Sequence, residues 1–432
     1  MVRPIDLAYL TALAAASPWL AYRAIARGRY RRGLGERLLG PARLPTSRRP
    51  RAWFHGVSVG EVHLLRHVVA AFRSRRPDWD CVVSATTDAG LDEARRCFRD
   101  LPVIVWPLDF SWAVRRSLSA VQPKLLVLAE SELWPNMIRL AKRRGVSVAV
   151  INGRFSPRSA RRYRRLGPLA RPMLHAVDLF AVQTERYANA LRGLGVASTQ
   201  IAVTGSVKYD GLIDDRNNPK TLDLALLFGV EGDDLVWVAG STQAPEEREI
   251  LAIFRRIKPR FARLRLILVP RQRDRFDAVA AEIQAQGLPV VRRSGIRNPV
   301  LNKNAVILVD SIGELSAVWG LADVAFVGGS LDGRRGGQNM LEPAAYGAAV
   351  TFGPHVWNFR DAVDRLVECD AAVQVRDFAA LEATMAQLLA SPARRRALGS
   401  AARKFVLSQQ GATERTLQAL EFLVDPRVVK AA

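Results

Sequence analysis

WFHGVSVGE, residues 53–61, begins as an apolar strand, passes through two glycines and ends on a glutamate. This order is typical of a strand, a loop and the start of a helix, which is the connection that builds parallel α/β sheets. Two explanations of Glu61 are open. Acidic side chains favour the first turn of any helix. A carboxylate on a glycine-flanked loop at a strand end can also reach into a ligand cleft without a bulky neighbour.

Short apolar runs alternate with stretches of helical length from residue 51 onward. A polar break, DGLIDDRNNPKT at residues 210–221, interrupts the pattern before it starts again. We therefore predict an α/β protein with two Rossmann-like, doubly wound domains facing a central cleft, because alternating strands and helices favour parallel sheets. In such sheets ligands bind beyond the carboxyl ends of the strands. The runs read as strands are AWFHGVSV, CVVSATT, PVIVWP, KLLVLAE, VSVAVIN and LFAVQT before the break, and LVWVAGST, RLRLILVP, AVILVD and VAFVGGS after it.

The charge of the 432-residue chain is unevenly distributed. Residues 1–220 hold 37 lysines and arginines against 17 acidic residues, whereas residues 221–432 hold 27 against 24, for a total net charge of +23. A basic half suits a polyanionic partner, namely nucleic acid, an anionic membrane or a phosphorylated substrate. A generally arginine-rich composition is the alternative, and it explains the total better than the asymmetry. Three cysteines without a CxxC pair indicate a reduced compartment, with neither disulfides nor structural zinc.

The N-terminal stretch Leu7–Tyr22 is uncharged and mostly apolar, and a run of arginines follows it. Its length falls slightly short of the roughly 20 residues that cross a bilayer. We predict an uncleaved anchor within residues 1–30 that spans the membrane or lies in its interface. The arginines would keep the next domain on the cytoplasmic side. A buried amphipathic helix is the alternative. The arginines are Arg23, Arg27, Arg29, Arg31 and Arg32.

Unusual residues follow the strands predicted in the second half. The most informative stretch, LDGRRGGQNMLEPAA, comes directly after VAFVGGS and precedes a helix. Glycines there let backbone N–H groups approach an anion, and Glu342 can face ribose hydroxyls, so the pattern predicts a nucleotide site. Plain loop flexibility is the alternative, and a Ser/Thr followed by Glu after LVWVAG is also an ordinary helix cap. The strand-end residues noted here are Ser241, Pro270, Arg271, Gly313, Glu314, Gly336, Gly337, Asn339 and Glu342.

Two features of the first half also follow buried strands. Glu130 and Glu132 come after KLLVLA, and the residues do not decide which of them points inward. INGRFSPRSARRYRR supplies a basic helix that is either a solvated face or a binding surface for membrane phosphates. Its arginines are Arg154, Arg158, Arg161, Arg162, Arg164 and Arg165.

A series of ordered motifs between residues 50 and 360 resembles the Kdo (3-deoxy-D-manno-octulosonic acid) transferases of lipopolysaccharide biosynthesis. The motifs are WFHGVSVGE, the TT of SATTDAG, AESELWPN, NGRFSPRS, GSVKYD, AGST, LVPRQRDR, GEL and GGSLDGRRGGQNMLEPAA. The resemblance implies a GT-B fold and inverting transfer of Kdo from CMP-Kdo to a lipid A precursor, lipid IVA. It places the enzyme at the cytoplasmic face of the inner membrane. Rival functions are another lipid glycosyltransferase, a nucleotide-sugar epimerase and a nucleic-acid-binding protein, for which aromatic–basic recognition motifs are missing.

The resemblance also assigns roles to residues. Glu61 would be the catalytic base, with Glu130 and Glu132 beside the oxocarbenium-like transition state. Lys208 would join the CMP-binding strand-end residues named above, while Ser58, Gly60, Arg154, Arg158, Arg161 and Arg162 would serve the acceptor and the membrane. No cofactor and no metal are expected, since CMP-Kdo is a substrate and the DxD match Asp78–Asp80 precedes its strand.

We expect five parts along the chain: the anchor at 1–30, a basic acceptor domain at 31–210, a linker at 211–221, a donor domain at 222–412 and a C-terminal helix at 413–432 that returns to the acceptor domain. Four positions depart from the family's pattern. Gln243 and Gln338 stand where it has histidine, Met340 where it has proline and Ser206 where it has asparagine, which bears on the choice of donor.

Overall fold

The structure is a computed structural model that describes residues 5–7, 9–11, 33–167 and 170–425. The chain divides into two compact units. One contains Met1–Asp210 and Gln410–Ala432, and the other contains Gly211–Gln409. The residues predicted as a linker thus belong to the second unit.

The first unit is built on a seven-stranded parallel sheet with the order β3-β2-β1-β4-β5-β6-β7. Alternate residues of β1 enter separate core clusters on the two faces, with Ala52 and Phe54 in one and Trp53 in the other. Helices therefore cover both faces, which explains why the strands are nearly continuous apolar runs. The strands are Arg51–Gly56 (β1), Asp80–Ala85 (β2), Val103–Val105 (β3), Leu125–Ala129 (β4), Ser147–Gly153 (β5), Leu179–Val182 (β6) and Ile201–Val203 (β7).

The helices of this unit follow the strands in turn. The last of them, Ala412–Val424, comes from the C-terminal end of the chain and buries Ala412, Leu417 and Leu420 in the core beside the helix Val59–Arg75. The helices are Leu34–Leu39, Val59–Arg75, Asp88–Cys97, Ser111–Val121, Pro135–Lys142, Pro157–Leu166, Arg171–His175, Glu185–Arg192 and Ala412–Val424, with 3-10 turns at Ser198–Gln200 and Val207–Tyr209.

The second unit repeats the architecture with a parallel sheet of order β10-β11-β9-β8-β12-β13-β14. Its strands are Leu235–Thr242 (β8), Leu264–Pro270 (β9), Val290–Arg292 (β10), Val306–Leu308 (β11), Val324–Val327 (β12), Ala349–Phe352 (β13) and Ala372–Gln374 (β14). Its helices are Pro219–Phe228, Glu246–Ile257, Phe276–Ala285, Leu315–Val318, Leu341–Ala345, Arg360–Glu368, Phe378–Ala390 and Pro392–Gln409, with 3-10 turns at Lys258–Arg260, Arg273–Arg275, Arg293–Gly295 and Trp319–Leu321. The prediction of two parallel α/β domains is confirmed.

The strand order changes direction between β1 and β4 in the first sheet and between β8 and β12 in the second. At such a switch point the connections leave towards opposite faces of the sheet, and a crevice opens beyond the carboxyl ends of the two strands. The residues that follow these four strands are thus placed to meet ligands.

Most of the predicted anchor, Leu7–Tyr22, lies outside the described residues. Within the described residues, no helix combines the length and the apolar character needed to cross a membrane. The residue directly before this segment, Asp6, is a fully buried carboxylate. Asp6 accepts hydrogen bonds from the backbone N–H of Ser111, at 2.8 Å, and from the Asn136 side chain, at 3.1 Å. Asp6 is therefore attached to the starts of two helices of the first unit.

Candidate active site

Glu61 lies in the first turn of the helix after β1, at the switch point of the first unit. Its Oε2 accepts a hydrogen bond from the backbone N–H of Val57 at 2.7 Å, and its Oε1 accepts one from the Ser58 hydroxyl at 3.1 Å. The carboxylate is therefore held by its own loop in a fixed orientation. One backbone N–H and one hydroxyl thus orient the carboxylate, and lone pairs remain for a substrate.

Two glycines shape the space around this carboxylate. A Cβ added to Gly56 would lie 3.0 Å from the Glu61 Cβ, so the loop closes over a position that only glycine leaves free. A Cβ added to Gly60 would meet only the Ser58 hydroxyl, at 3.9 Å. Gly56 thus allows the glutamate to approach the strand, while the side of Gly60 stays open for an approaching hydroxyl.

The surroundings of Glu61 make its carboxyl group a stronger base. Burial raises the pKa of Glu61 to about 7, and the neighbouring Glu130 and Glu132 carboxylates also raise it, against the hydrogen bonds from Val57 and Ser58. A general base works best when its pKa lies near the operating pH. The site therefore presents a base poised for neutral solution.

Glu130 and Lys208 form an ion pair beside this base. Glu130 directly follows β4, and the Lys208 Nζ lies 3.0 Å from its Oε1. Glu130 has a left-handed backbone, with φ +58°, and its N–H donates to the Ile151 carbonyl oxygen of β5 at 2.8 Å. Burial, and secondly Glu130, raise the pKa of Glu132. The structure thus brings Glu61, Glu130, Glu132 and Lys208 together at one switch point.

Asn152 positions the turn that carries Lys208, and the sequence did not single it out. This buried residue of β5 also has a left-handed backbone, with φ +53°. Its Oδ1 accepts a hydrogen bond from the Val207 N–H at 3.1 Å, and its carbonyl oxygen accepts one from Gln183 at 3.0 Å. In the sequence, the asparagine next to a glycine at the end of the strand could have indicated this turn, because both residue types tolerate the left-handed backbone region.

His55 is a second residue that the sequence analysis missed. Its ring is fully buried at the end of β1 and stacks on Trp106, with ring centroids 3.6 Å apart. Burial lowers the pKa of His55 to about 3, so the imidazole is neutral, and its Nδ1 lies 3.0 Å from the Ser84 hydroxyl. His55 thus supports the loop that begins at Gly56, and its neutral ring cannot serve as a general acid.

The switch point of the second unit contains a carboxylate in a comparable place, Glu246, whose local sequence indicates only a helix cap. It lies in the first turn of the helix after β8 and is fully buried. It accepts backbone hydrogen bonds from four residues that lie on its own loop and after β12. These donors are Gln243 at 3.1 Å, Gly329 at 2.7 Å, Ser330 at 3.0 Å and Leu331 at 3.1 Å. Glu246 therefore fixes the start of the glycine-rich loop.

The rest of this loop differs from a simple phosphate cradle. The Gly337 N–H donates to the Gly329 carbonyl oxygen at 2.8 Å, and the Gly336 carbonyl oxygen accepts from the Asn358 N–H at 3.1 Å. A Cβ on Gly336 would lie 2.2 Å from the Trp357 indole. The helix after the loop, Leu341–Ala345, has only five residues. Several backbone groups of the loop are thus already engaged within the protein, and anion binding there depends more on side chains.

Arg271, Asn339 and Glu342 provide these side chains. The Asn339 amide donates to Glu342 Oε1 at 3.0 Å. Burial raises the pKa of Glu342, whereas this bond and the nearby Arg271 guanidinium lower it. Arg271 is exposed and follows β9, whose last residue is Pro270. The Arg271 cation therefore lies near the hydrogen-bonded pair of Asn339 and Glu342. This combination suits binding of a phosphate and a ribose.

The other residues predicted for the donor site lie on the same sheet edge. Ser241 has a left-handed backbone, with φ +55°, near the end of β8. Gly313 lies in an exposed turn after β11, with φ +91°. The Glu314 carboxylate is bound by Arg293, with Nη2 to Oε1 at 2.8 Å. Glu314 is thus already paired with a cation of its own unit.

The arginines predicted for the acceptor surface, except Arg154, lie on the helix Pro157–Leu166. Those at 158, 161, 162, 164 and 165 are exposed. Tyr163 of the same helix is near Glu132, because that carboxylate contributes, after burial, to raising the pKa of the tyrosine. Arg154 contacts the loop after β4 through its carbonyl oxygen, which accepts a hydrogen bond from the Ser131 hydroxyl at 2.5 Å. The basic helix therefore adjoins the acidic cluster.

Comparison with known proteins decides the family. The family model of the 3-deoxy-D-manno-octulosonic-acid transferases (kdotransferase) matches residues 32–211. The 3-deoxy-D-manno-octulosonic acid transferase of Haemophilus influenzae is 33% identical over 97% of this chain and 95% of its own length. The chain belongs to the Kdo transferases. The corresponding protein of Bordetella pertussis is 35% identical over 88% of this chain and 89% of its own.

As a Kdo transferase the protein is a glycosyltransferase, and its activity is Kdo transfer in lipopolysaccharide core biosynthesis. Its fold is also similar to that of UDP-GlcNAc 2-epimerase from Neisseria meningitidis, solved with UDP-GlcNAc. That structure is 12% identical, with a TM-score of 0.57 over 86% of this chain and 99% of that one. At this identity the likeness concerns the fold alone, and the family assignment separates this Kdo transferase from the epimerases.

Two departures from the pattern of the Kdo transferases meet in the structure. A Cβ added to Gly329 would lie 3.1 Å from the Gln243 Nε2 and 3.5 Å from the Gln338 Nε2, so both amides border the same glycine. Gln243 is buried, and its Oε1 has no hydrogen-bond partner within the described structure. The paired replacement of histidine by glutamine thus lies at one spot of the glycine-rich loop.

Proposed function

We propose that this Kdo transferase moves Kdo from CMP-Kdo to the lipid A precursor lipid IVA with inversion at the anomeric carbon, and that Glu61 is its general base. The observation that carries the proposal is the Glu61 carboxylate at the switch point of the first unit, held by Val57 and Ser58 and raised in pKa to about 7.

The reaction needs one base on the acceptor side. Glu61 takes the proton of the acceptor hydroxyl as that oxygen bonds to the anomeric carbon of Kdo. The bond from this carbon to the CMP phosphate oxygen breaks on the opposite face, and CMP departs with the electron pair. A positioned base contributes about 10²–10⁴-fold to such a step.

Charges around Glu61 suit the transition state. The anomeric carbon acquires positive character as CMP leaves, and nearby carboxylates stabilise it. Glu130 and Glu132 are the candidates, since both raise the pKa of Glu61 and hence lie close to it. Lys208, held by Glu130 at 3.0 Å, is a cation that can turn to the leaving phosphate.

The second unit supports a nucleotide donor. Arg271 offers a positive charge for phosphate, while Glu342 and Asn339 offer acceptors and donors for ribose hydroxyls. Because these side chains suit a phosphate and a ribose, the proposed mechanism uses no metal. The DxD match does not alter this, because Asp78 is bound by Arg76, with Nη2 to Oδ2 at 2.7 Å, and lies ahead of β2 at the opposite edge of the sheet from Glu61.

The basic helix Pro157–Leu166 supports an acceptor embedded in an anionic leaflet at the cytoplasmic face of the inner membrane. Each basic residue near such a surface contributes on the order of 1 kcal/mol of attraction. Neutralising Arg158, Arg161 and Arg162 should weaken vesicle binding at moderate salt, and unchanged binding to anionic vesicles would exclude this surface.

One assay tests the proposal as a whole. Purified protein, lipid IVA and freshly generated CMP-Kdo are incubated with and without EDTA, and the lipid product is identified by mass. We expect a mass increase of one or more Kdo residues under both conditions. Turnover of a UDP-sugar instead, or loss of activity to EDTA that magnesium restores, would contradict the donor or the metal-free step.

A further inference from the structure

Two helices of the first unit bring a histidine, a glutamate and a cysteine together at the surface. His63 lies on the helix Val59–Arg75, and Glu93 and Cys97 lie on the helix Asp88–Cys97. The His63 Nε2 is 3.2 Å from the Glu93 Oε1, and the Cys97 Sγ is 3.3 Å from the same oxygen. All three potential ligand atoms lie within 4.8 Å of one another.

These separations agree with the edges of a small coordination polyhedron. Zinc binds histidine nitrogen and carboxylate oxygen at about 2.0–2.2 Å and cysteine sulfur at about 2.3 Å, in tetrahedral geometry. Such bonds place two ligand atoms roughly 3.3–3.7 Å apart. The two distances measured from the Glu93 Oε1 are close to this range, so small side-chain rotations suffice to accommodate an ion.

The positions of the residues in the two helices explain why they converge. Glu93 and Cys97 are four residues apart and hence share one helix face. His63 and His67 have the same spacing on the neighbouring helix, so His67 lies one turn further along. The sequence does not reveal this cluster, because its members come from two helices and include no pair of cysteines.

We propose that His63, Glu93 and Cys97 form a zinc-binding site, with water or His67 as the fourth ligand. A mixed set of nitrogen, oxygen and thiolate favours zinc over magnesium or calcium, which prefer oxygen alone. As the Zn–S bond forms, the Cys97 thiol releases its proton to solvent, and no other covalent bond changes.

Two of the three residues are already in the protonation state that metal binding requires. Burial, followed by Arg66 and Arg96, lowers the pKa of His63 against the effect of Glu93, so its ring is neutral at neutral pH. The hydrogen bond from Arg96 lowers the pKa of Glu93 and keeps it ionised. Burial and Glu93 raise the pKa of Cys97, and a bound dication reverses this, because a coordinating thiol is deprotonated.

Arg96 binds both oxygens of the Glu93 carboxylate, its Nε donating to Oε2 at 3.0 Å and its Nη2 to Oε1. An ion at Oε1 must therefore displace the Nη2 bond, whereas the Nε bond to Oε2 can remain. Ligating carboxylates commonly keep such a second partner. The positive charges of Arg66 and Arg96 limit the affinity, so the site should bind zinc more weakly than a closed structural centre.

This site is separate from the chemistry of Kdo transfer. It would join the helix that begins beside Glu61 to the helix that follows β2. An ion that binds only the folded protein stabilises it by mass action. Zinc should therefore raise the thermal midpoint of the full-length protein, and its removal by a chelator should leave Kdo transfer unaffected.

Cobalt provides the decisive probe, because thiolate coordination gives a charge-transfer band in the near ultraviolet. The full-length protein, freed of metal by a chelator and dialysed, is titrated with Co²⁺ and then with Zn²⁺. We expect the band in the parent and its loss on addition of zinc. Cys97→Ser should abolish the band, and His63→Ala should weaken Co²⁺ binding at least ~10-fold. Cys369→Ser, which removes an exposed cysteine of the other unit, is the matched control and should behave as the parent.

His63 is 48% exposed at its side chain and Cys97 is partly exposed, so the variants should fold, as metal-free thermal midpoints will show. A parent without the band overturns the proposal. So does a Cys97→Ser protein that keeps it, or a His63→Ala protein whose midpoint zinc raises as much as the parent's. His67→Ala decides the fourth ligand: a weaker band indicates coordination by His67, and an unchanged one indicates water.

Discussion

Glu61 and Glu246 occupy comparable places in the two units and have opposite environments. Each lies in the first turn of the helix after the strand that borders the switch point, and burial raises the pKa of both. Glu246 accepts four backbone hydrogen bonds and is fully buried. Glu61 accepts two and keeps an open side next to Gly60. Under the proposed mechanism, the same fold position serves structure where the hydrogen-bonding capacity of the carboxylate is saturated and chemistry where it is not.

Removing the charge of Glu61 should have the largest effect. Glu61→Gln keeps the size and a hydrogen-bonding oxygen but cannot take a proton at neutral pH. We expect turnover to fall at least ~10²-fold, with binding of CMP-Kdo and lipid IVA retained. The measurement is the initial rate of lipid product with substrates saturating.

Glu185→Gln is the matched control, because Glu185 is an exposed acid in the first turn of the helix after β6. It should keep normal turnover. Near-normal turnover of Glu61→Gln would mean that Glu61 serves only the helix start, as any first-turn acid does.

Glu246→Gln should lower the stability of the protein and not its turnover. The amide retains one acceptor oxygen, so backbone donors of Gly329, Ser330 or Leu331 lose their partner. A buried donor left unsatisfied costs about 1–3 kcal/mol. We expect a lower free energy of unfolding in denaturant titrations and little change in turnover where the protein stays folded. Glu249→Gln, on the same helix, should leave stability unchanged, and equal stability of both variants would refute the assigned role of Glu246.

Donor binding should distinguish the side chains of the two units. Lys208→Ala should weaken CMP binding through the phosphate and Glu342→Ala through the ribose, each about tenfold, since a hydrogen bond to a charged group is worth ~1.5–3 kcal/mol. Calorimetry with CMP and with cytidine separates them: Lys208→Ala should affect only CMP, and Glu342→Ala both. If the Lys208→Ala protein binds CMP with normal affinity, Lys208 serves only its ion pair with Glu130.

The pH profile should show the smallest effect. A base with a pKa of about 7 is protonated below that value, so turnover should be low in acid and rise through about pH 7. Since Glu130 raises this pKa, Glu130→Gln should shift the rise towards lower pH. For stability the sign is reversed. A raised carboxyl pKa stabilises the fold in acid, and this contribution is lost as the pH rises through about 7. A rate profile that is flat between pH 6 and 8 would contradict Glu61 as the base.

The sequence predicted the two parallel sheets and the loop of Glu61, because apolar runs and glycines are local signals. It also named Glu130, Glu132 and Lys208, which the structure brings together. The pairing of Lys208 with Glu130 and the support by Asn152 could not be predicted, since they join residues far apart in the chain. Glu246 shows the same limit. Its role depends on the backbone after β12, about 80 residues away, and the local pattern is that of a helix cap.

Glu130 and Asn152 end neighbouring strands in the left-handed backbone region, which asparagine tolerates and glutamate rarely adopts. A glycine at position 130 would relieve a cost of about 1–2 kcal/mol. A library of variants selected for heat resistance alone should therefore drift towards Glu130→Gly and lose the partner of Lys208. Selection for lipopolysaccharide synthesis would oppose that drift. Heat resistance and fitness would therefore favour different residues at position 130.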